Sequence, residues 1–100
     1  MSGATSRSKK PPSLREVFAK NLRLQRLHLG MSQEALAAEA SLDRAFVGTL
    51  ERGERNVSID NVERLCVAVN VPAHELLDPE FAKRWGLDES LTRAPRRARV

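Results

Sequence analysis

The sequence predicts an all-α domain of four to five helices followed by a short helical extension. Three observations carry that expectation. Apolar residues recur at a helical period in successive stretches. A serine or aspartate stands just ahead of four of those stretches, where an N-cap belongs. No segment reads convincingly as a strand, and there is no internal repeat.

The first helix begins after Ser13, with Glu16 three residues on as the reciprocal partner of a capping box. Leu14, Phe18, Leu22 and Leu29 mark its apolar stripe, which Val17, Leu24 and Leu27 broaden, and Gly30 ends it. Ser32 caps a second, short helix with Leu36, Ala37 and Ala40 inward. Ser41 and Leu42 connect it to a third, which Asp43 caps and Gly53 stops, over Arg44 to Glu51. There the period turns Val47 and Leu50 to the core. Arg44, Ala45, Gly48 and Thr49 face outward together, with Arg52 at the end.

A polar loop, Glu54 to Val57, leads to Ser58 as cap of the fourth helix. Ile59, Val62, Leu65, Cys66 and Val69 lie along one side of that helix. Pro72 sits near the start of a very short fifth helix through Leu77. Asp78-Pro79-Glu80 starts a further turn in which Phe81 and Trp85, four apart, share a face, and Gly86 ends it. The organisation is therefore a basic arm over 1–13, expected to be disordered, a folded domain over 14–77, an extension over 78–92, and a basic tail over 93–100, also expected to be disordered.

Composition narrows the function classes. The 100 residues carry a net charge of +4 and one cysteine, so no internal disulfide forms. Residues 1–13 hold +3 and residues 83–100 hold +4, whereas the segment between them has eight basic and eleven acidic residues. Any nucleic-acid contact in the middle must then come from a local patch rather than an overall field. No apolar run is long enough to span a bilayer and the N-terminal stretch does not read as a secretory signal, which favours a cytoplasmic protein with no membrane partner. His28 and His74 lie on different helices with no further ligand at metal spacing, so neither a metal nor a cofactor is expected. Cys66, on an apolar side, reads as a buried thiol. No nucleophile–base pairing and no Gly-rich phosphate loop suggests an enzyme.

The stretch Ser32-Gln-Glu-Ala-Leu-Ala, then Leu42-Asp-Arg-Ala-Phe, Leu50-Glu-Arg-Gly and Arg55-Asn-Val-Ser resembles the Cro/repressor (Xre) helix-turn-helix family. The likeness covers residues 14–77, and Leu42-Asp-Arg-x-aromatic followed by Glu51-Arg52 is also similar to the controller proteins of restriction–modification systems. The resemblance implies a lambda-repressor-like fold that binds double-stranded operator DNA as a homodimer. The second motif helix then enters the major groove and two half-sites lie about 34 Å apart.

On that reading Arg44 addresses guanine O6 and N7, a bidentate contact giving about 1–3 kcal/mol of discrimination. Ala45, Gly48 and Thr49 complete the base-facing set. Ser32 and Gln33, at the start of the first motif helix, match positions that meet a phosphate. Arg55 and Asn56 match backbone-contacting positions in the loop. Phe46 faces the backbone without a hydroxyl to donate; it, Ala45 and Gly48 stand where controllers often carry Tyr, Thr and Ser. Arg26 and Glu51 match a partly buried ion pair of the family. Leu77, Phe81 and Trp85 are the expected dimer contact. A reading from another class makes the chain an antitoxin-like interaction module whose segment 78–92 binds a partner protein.

Overall fold

The computed structural model describes residues 11–92. The expected tail over 93–100 and most of the arm over 1–13 lie outside them. Six helices and no strand occur among the described residues. They are α1 (Leu14–His28), α2 (Gln33–Ala40), α3 (Arg44–Glu51), α4 (Ile59–Val69), α5 (Ala73–Leu76) and α6 (Phe81–Trp85). This is the all-α architecture that the periodicity predicts.

Local chemistry sets the boundaries. Glu16 N–H donates to Ser13 Oγ at 3.1 Å and Ser13 N–H donates to Glu16 Oε1 at 2.9 Å, a complete capping box. Ser32 Oγ accepts from Ala35 N–H at 2.9 Å and Ser58 Oγ from Asn61 N–H at 3.1 Å. Asp43 departs from expectation: it occupies the N-cap of α3, but its side chain makes no capping hydrogen bond. At the other ends, Gly30 and Gly53 take φ of 75° and 76°, just past α1 and α3. Ser41 closes α2 with φ 58°, a left-handed conformation that costs a residue with a Cβ about 1–2 kcal/mol.

The core gathers Phe18, Leu22 and Leu24 of α1, Leu36 of α2, Val47 and Leu50 of α3, and Leu65 and Val69 of α4. α6 closes it from the C-terminal side. Phe81 has no exposed surface, and Ala82 and Leu87 join the same cluster. The buried amide of Asn21 donates to the carbonyls of Leu76 at 2.9 Å and Asp78 at 2.8 Å, satisfying backbone oxygens where α5 ends. Arg23 donates to Leu91 O at 3.1 Å, and Lys20 pairs with Glu89 at 2.9 Å. The segment 78–92 is thereby fastened along α1.

Two expectations are corrected here. Phe81 is a core residue, so it is not open to a second chain, and its ring packs on Trp85 at a centroid distance of 5.3 Å. Trp85 is 42% exposed and donates its indole N–H to Glu75 Oε1 at 3.2 Å. Ile59 does not join the inner side of α4. It is 80% exposed and Val67 is 75% exposed, while Leu65, Cys66 and Val69 are buried. α4 is apolar on two faces, and packing chose between them.

Candidate nucleic-acid interface

α2 and α3 pack on each other across the tight turn at Ser41 and Leu42, and the buried faces of both rest on the core. Their mutual pose is held by a polar link. Arg26 of α1 donates from Nε to Glu51 Oε2 at 2.7 Å and from Nη2 to Glu51 Oε1 at 2.9 Å, a bidentate pair buried at the end of α3. Arg26 Nη1 also donates to Met31 O at 2.7 Å. Gln33 Nε2 donates to Glu51 Oε1 at 3.1 Å, which brings the start of α2 into the same network. One carboxylate therefore ties three helices together, and the ion pair expected of Arg26 and Glu51 is present.

The expected base-facing residues divide. Arg44 and Ala45 are exposed in the first turn of α3. Arg44 has no hydrogen-bond or ion-pair partner among the described residues. A cation at a helix N-terminus opposes the helix dipole, so this placement does little for the fold itself. Gly48, expected to face outward, is buried instead. A Cβ there would lie 3.5 Å from Gln33 Oε1 and 3.7 Å from Arg52 Nη1, ordinary van der Waals distances, so the fold has room for an alanine at this position. Arg52 itself is exposed and pairs with Glu54 at 3.2 Å.

Thr49 is half-buried, and its hydroxyl is engaged. It donates to Phe46 O at 3.0 Å and accepts from Arg55 Nε at 2.9 Å. A phosphate only accepts hydrogen bonds, so a threonine whose proton is committed has none to give it. The guanidinium of Arg55 lies over the Phe46 ring, 5.1 Å from its centroid. Phe46 thus acts as a platform, and Thr49 as a stop, for an arginine whose Nη nitrogens have no hydrogen-bond partner among the described residues. Sequence spacing placed Arg55 in the loop but held no signal that it folds back on α3.

Ser32 is exposed and Gln33 half-buried at the start of α2, where the helix dipole favours an anion. Asn56 is exposed beside Arg55, and its Oδ1 accepts from Arg15 Nη2 of α1. Arg15 escaped the sequence reading altogether, since nothing local links residues 41 positions apart. Away from this face, burial pushes the Cys66 thiol above its ordinary value, as the apolar-side placement implies.

A short helix, a tight turn and a second helix whose N-terminal turn is exposed and cationic define a helix-turn-helix protein. A helix-turn-helix family model matches residues 22–76. A hypothetical transcription factor of Neisseria meningitidis serogroup B is 44% identical over 66 residues, covering 66% of this chain and 62% of that protein. Control protein C.BamHI of Bacillus amyloliquefaciens is 43% identical over 67 residues, covering 66% and 83%. Among solved structures, the restriction-modification controller protein C.AhdI of Aeromonas hydrophila aligns with a TM-score of 0.60 at 44% identity, covering 62% and 94%. The match thus spans just under two thirds of the Neisseria protein's length and most of the controllers'. The chain belongs to the Xre-type helix-turn-helix family of DNA-binding transcriptional regulators. None of its described helices is long and apolar enough to cross a membrane.

Proposed function

We propose that this chain is an operator-binding regulator of the restriction–modification controller kind, acting as a homodimer on an inverted repeat with α3 in the major groove. The observation that carries this reading is Arg44, exposed and unpartnered among the described residues at the leading end of α3. Arg55 is braced on the same helix. Arg44 and Ala45 address bases, while Gly48 is buried beneath Gln33 and Arg52. Ser32, Gln33, Arg55 and Asn56 meet phosphates and fix the register, with Phe46 supporting Arg55. The relative C.Esp1396I, 30% identical and aligned with a TM-score of 0.61, has been solved as a tetramer in complex with its natural 35 base-pair operator.

The homodimer reading draws on a different surface from the one the aromatic spacing suggested. Leu14, Ile59 and Val67 are exposed around an open apolar groove of about 850 Å³ that Val62 and Leu77 also line. Exposed aliphatic side chains grouped on one face favour a partner. Leu77 lines that groove, whereas Phe81 and Trp85 do not. The protein works by binding DNA in the cytoplasm and excluding or recruiting polymerase; it catalyses nothing. The antitoxin-like reading is the weaker one, because residues 78–92 already pack on this chain's own core through Phe81 and Leu87.

Selection of bound duplexes from a random pool tests the proposal. The expected product is an inverted repeat with half-site centres about one helical turn, or a multiple of it, apart. Recovery of no enriched sequence, or of a single unrepeated half-site, overturns it.

A further inference from the structure

We infer that Arg15, in the first turn of α1, is an additional DNA-backbone contact that acts as a unit with Asn56. The inference rests on the DNA-binding reading above and extends the interface from the helix-turn-helix onto the first helix.

The geometry begins at the loop that follows α3. Asn56 Oδ1 accepts from Arg15 Nη2, and both residues are exposed. Asn56 Oδ1 already accepts this bond, and no acceptor among the described residues takes the Asn56 Nδ2 hydrogens. Arg15 uses one of five guanidinium donors in this bond. The pair is thus a donor-rich patch, suited to a group that accepts hydrogen bonds and carries negative charge. A backbone phosphate is such a group.

The patch lies next to the proposed DNA face. Arg55, adjacent to Asn56 in the chain, is bonded to Thr49 and stacked on Phe46 of α3. The first turn of α1 also lies near the start of that loop, where a Cβ added to Gly53 would come 3.9 Å from Glu16 Cγ. Nearby acidic groups have partners of their own while keeping their negative charge. Glu16 Oε1 accepts from Ser13 N–H at 2.9 Å, and Glu54 Oε1 pairs with Arg52 at 3.2 Å. Arg15 and Arg55 therefore flank Asn56 as two cations, one bonded to it and one beside it in the chain, and Arg15 extends the patch to the α1 side of the loop.

The test uses the full chain, Arg15→Gln and Arg15→Lys, and two probes: the duplex that the wild type enriches from a random pool, and a scrambled duplex of the same length. Each is titrated over a salt series. Arg15→Gln is expected to flatten the dependence of log Kd on log salt by about 0.9 per bound protomer on both duplexes. It leaves the ratio of the two affinities unchanged, and Arg15→Lys keeps most of the wild-type slope. Phosphate-ethylation interference on the enriched duplex, read first with the wild type, is expected to show one phosphate per half-site whose signal Arg15→Gln abolishes. An unchanged slope and an unchanged interference pattern with Arg15→Gln reduce Arg15 to a brace for the loop and overturn the inference. Absence of salt-dependent binding by the wild type overturns the DNA-binding reading itself, and this inference with it.

Discussion

Arg26 and Glu51, 25 positions apart, form a bidentate ion pair at 2.7 and 2.9 Å with side-chain exposures of only 8% and 2%. Burial of both charges makes their mutual satisfaction obligatory. Glu51→Ala strands a buried guanidinium and is expected to cost about 3–5 kcal/mol. Denaturant unfolding checks this, and an unchanged midpoint removes the pair as a structural element. Base preference, measured on the fraction still folded at low temperature, is expected to survive.

Arg44 has the opposite character. It is exposed and has no hydrogen-bond or ion-pair partner among the described residues, so Arg44→Ala is expected to leave the unfolding free energy within about 0.5 kcal/mol of wild type. The preference for the enriched duplex over a scrambled one is expected to fall by about 1–3 kcal/mol. Binding competition between the two duplexes measures it. A variant that keeps its specificity refutes base readout by this residue.

Arg55 and Thr49 should act as one unit, because the Thr49 hydroxyl accepts from Arg55 Nε and holds the guanidinium against α3. Thr49→Val keeps the shape of the side chain and deletes the acceptor. It is expected to weaken DNA binding in the wild-type background and to have little further effect once Arg55→Ala is present. The double-mutant cycle is expected to give a coupling of about 0.5–3 kcal/mol. Additive effects would mean that Thr49 touches DNA on its own account.

Phe81 and Ile59 separate folding from association. Phe81→Ala empties a fully buried site and is expected to cost about 3–5 kcal/mol in unfolding experiments. Ile59→Asp, at an 80% exposed position, is expected to leave the monomer folded and to shift the sedimentation equilibrium toward monomer. Dimers that persist in Ile59→Asp would move the subunit contact elsewhere.

Cys66 gives a pH signature. Burial raises its thiol pKa in the folded state, so the unfolded chain loses that proton first as pH rises. Stability is expected to be flat in neutral solution and to decline once pH passes the ordinary thiol value of about 8.5. Cys66→Ala is expected to remove the part of the decline that comes from the thiol. Alkylation by iodoacetamide at neutral pH is expected to be slow in the native protein and fast after unfolding. Rapid native alkylation contradicts the buried assignment.

The helices and their order are legible in the amino-acid sequence. Ser13, Ser32 and Ser58 cap their helices as their positions predict, α3 runs from Arg44 to Glu51 as expected, and Gly30, Gly53 and Gly86 turn the chain where helices end. These signals are legible because each acts through backbone groups within one turn of the residue that carries it. The Arg26–Glu51 pair was legible through family resemblance rather than through spacing. Which faces are used depends on packing between the helices. That packing turned Ile59 and Val67 outward on a helix apolar on two sides, drew Phe81 into the core, and set Gly48 beneath Gln33 and Arg52. It also joined Arg55 to Thr49 and Arg15 to Asn56. Periodicity places residues on a common face but cannot say what that face meets. Contacts between helices depend on the whole packing and leave no local trace.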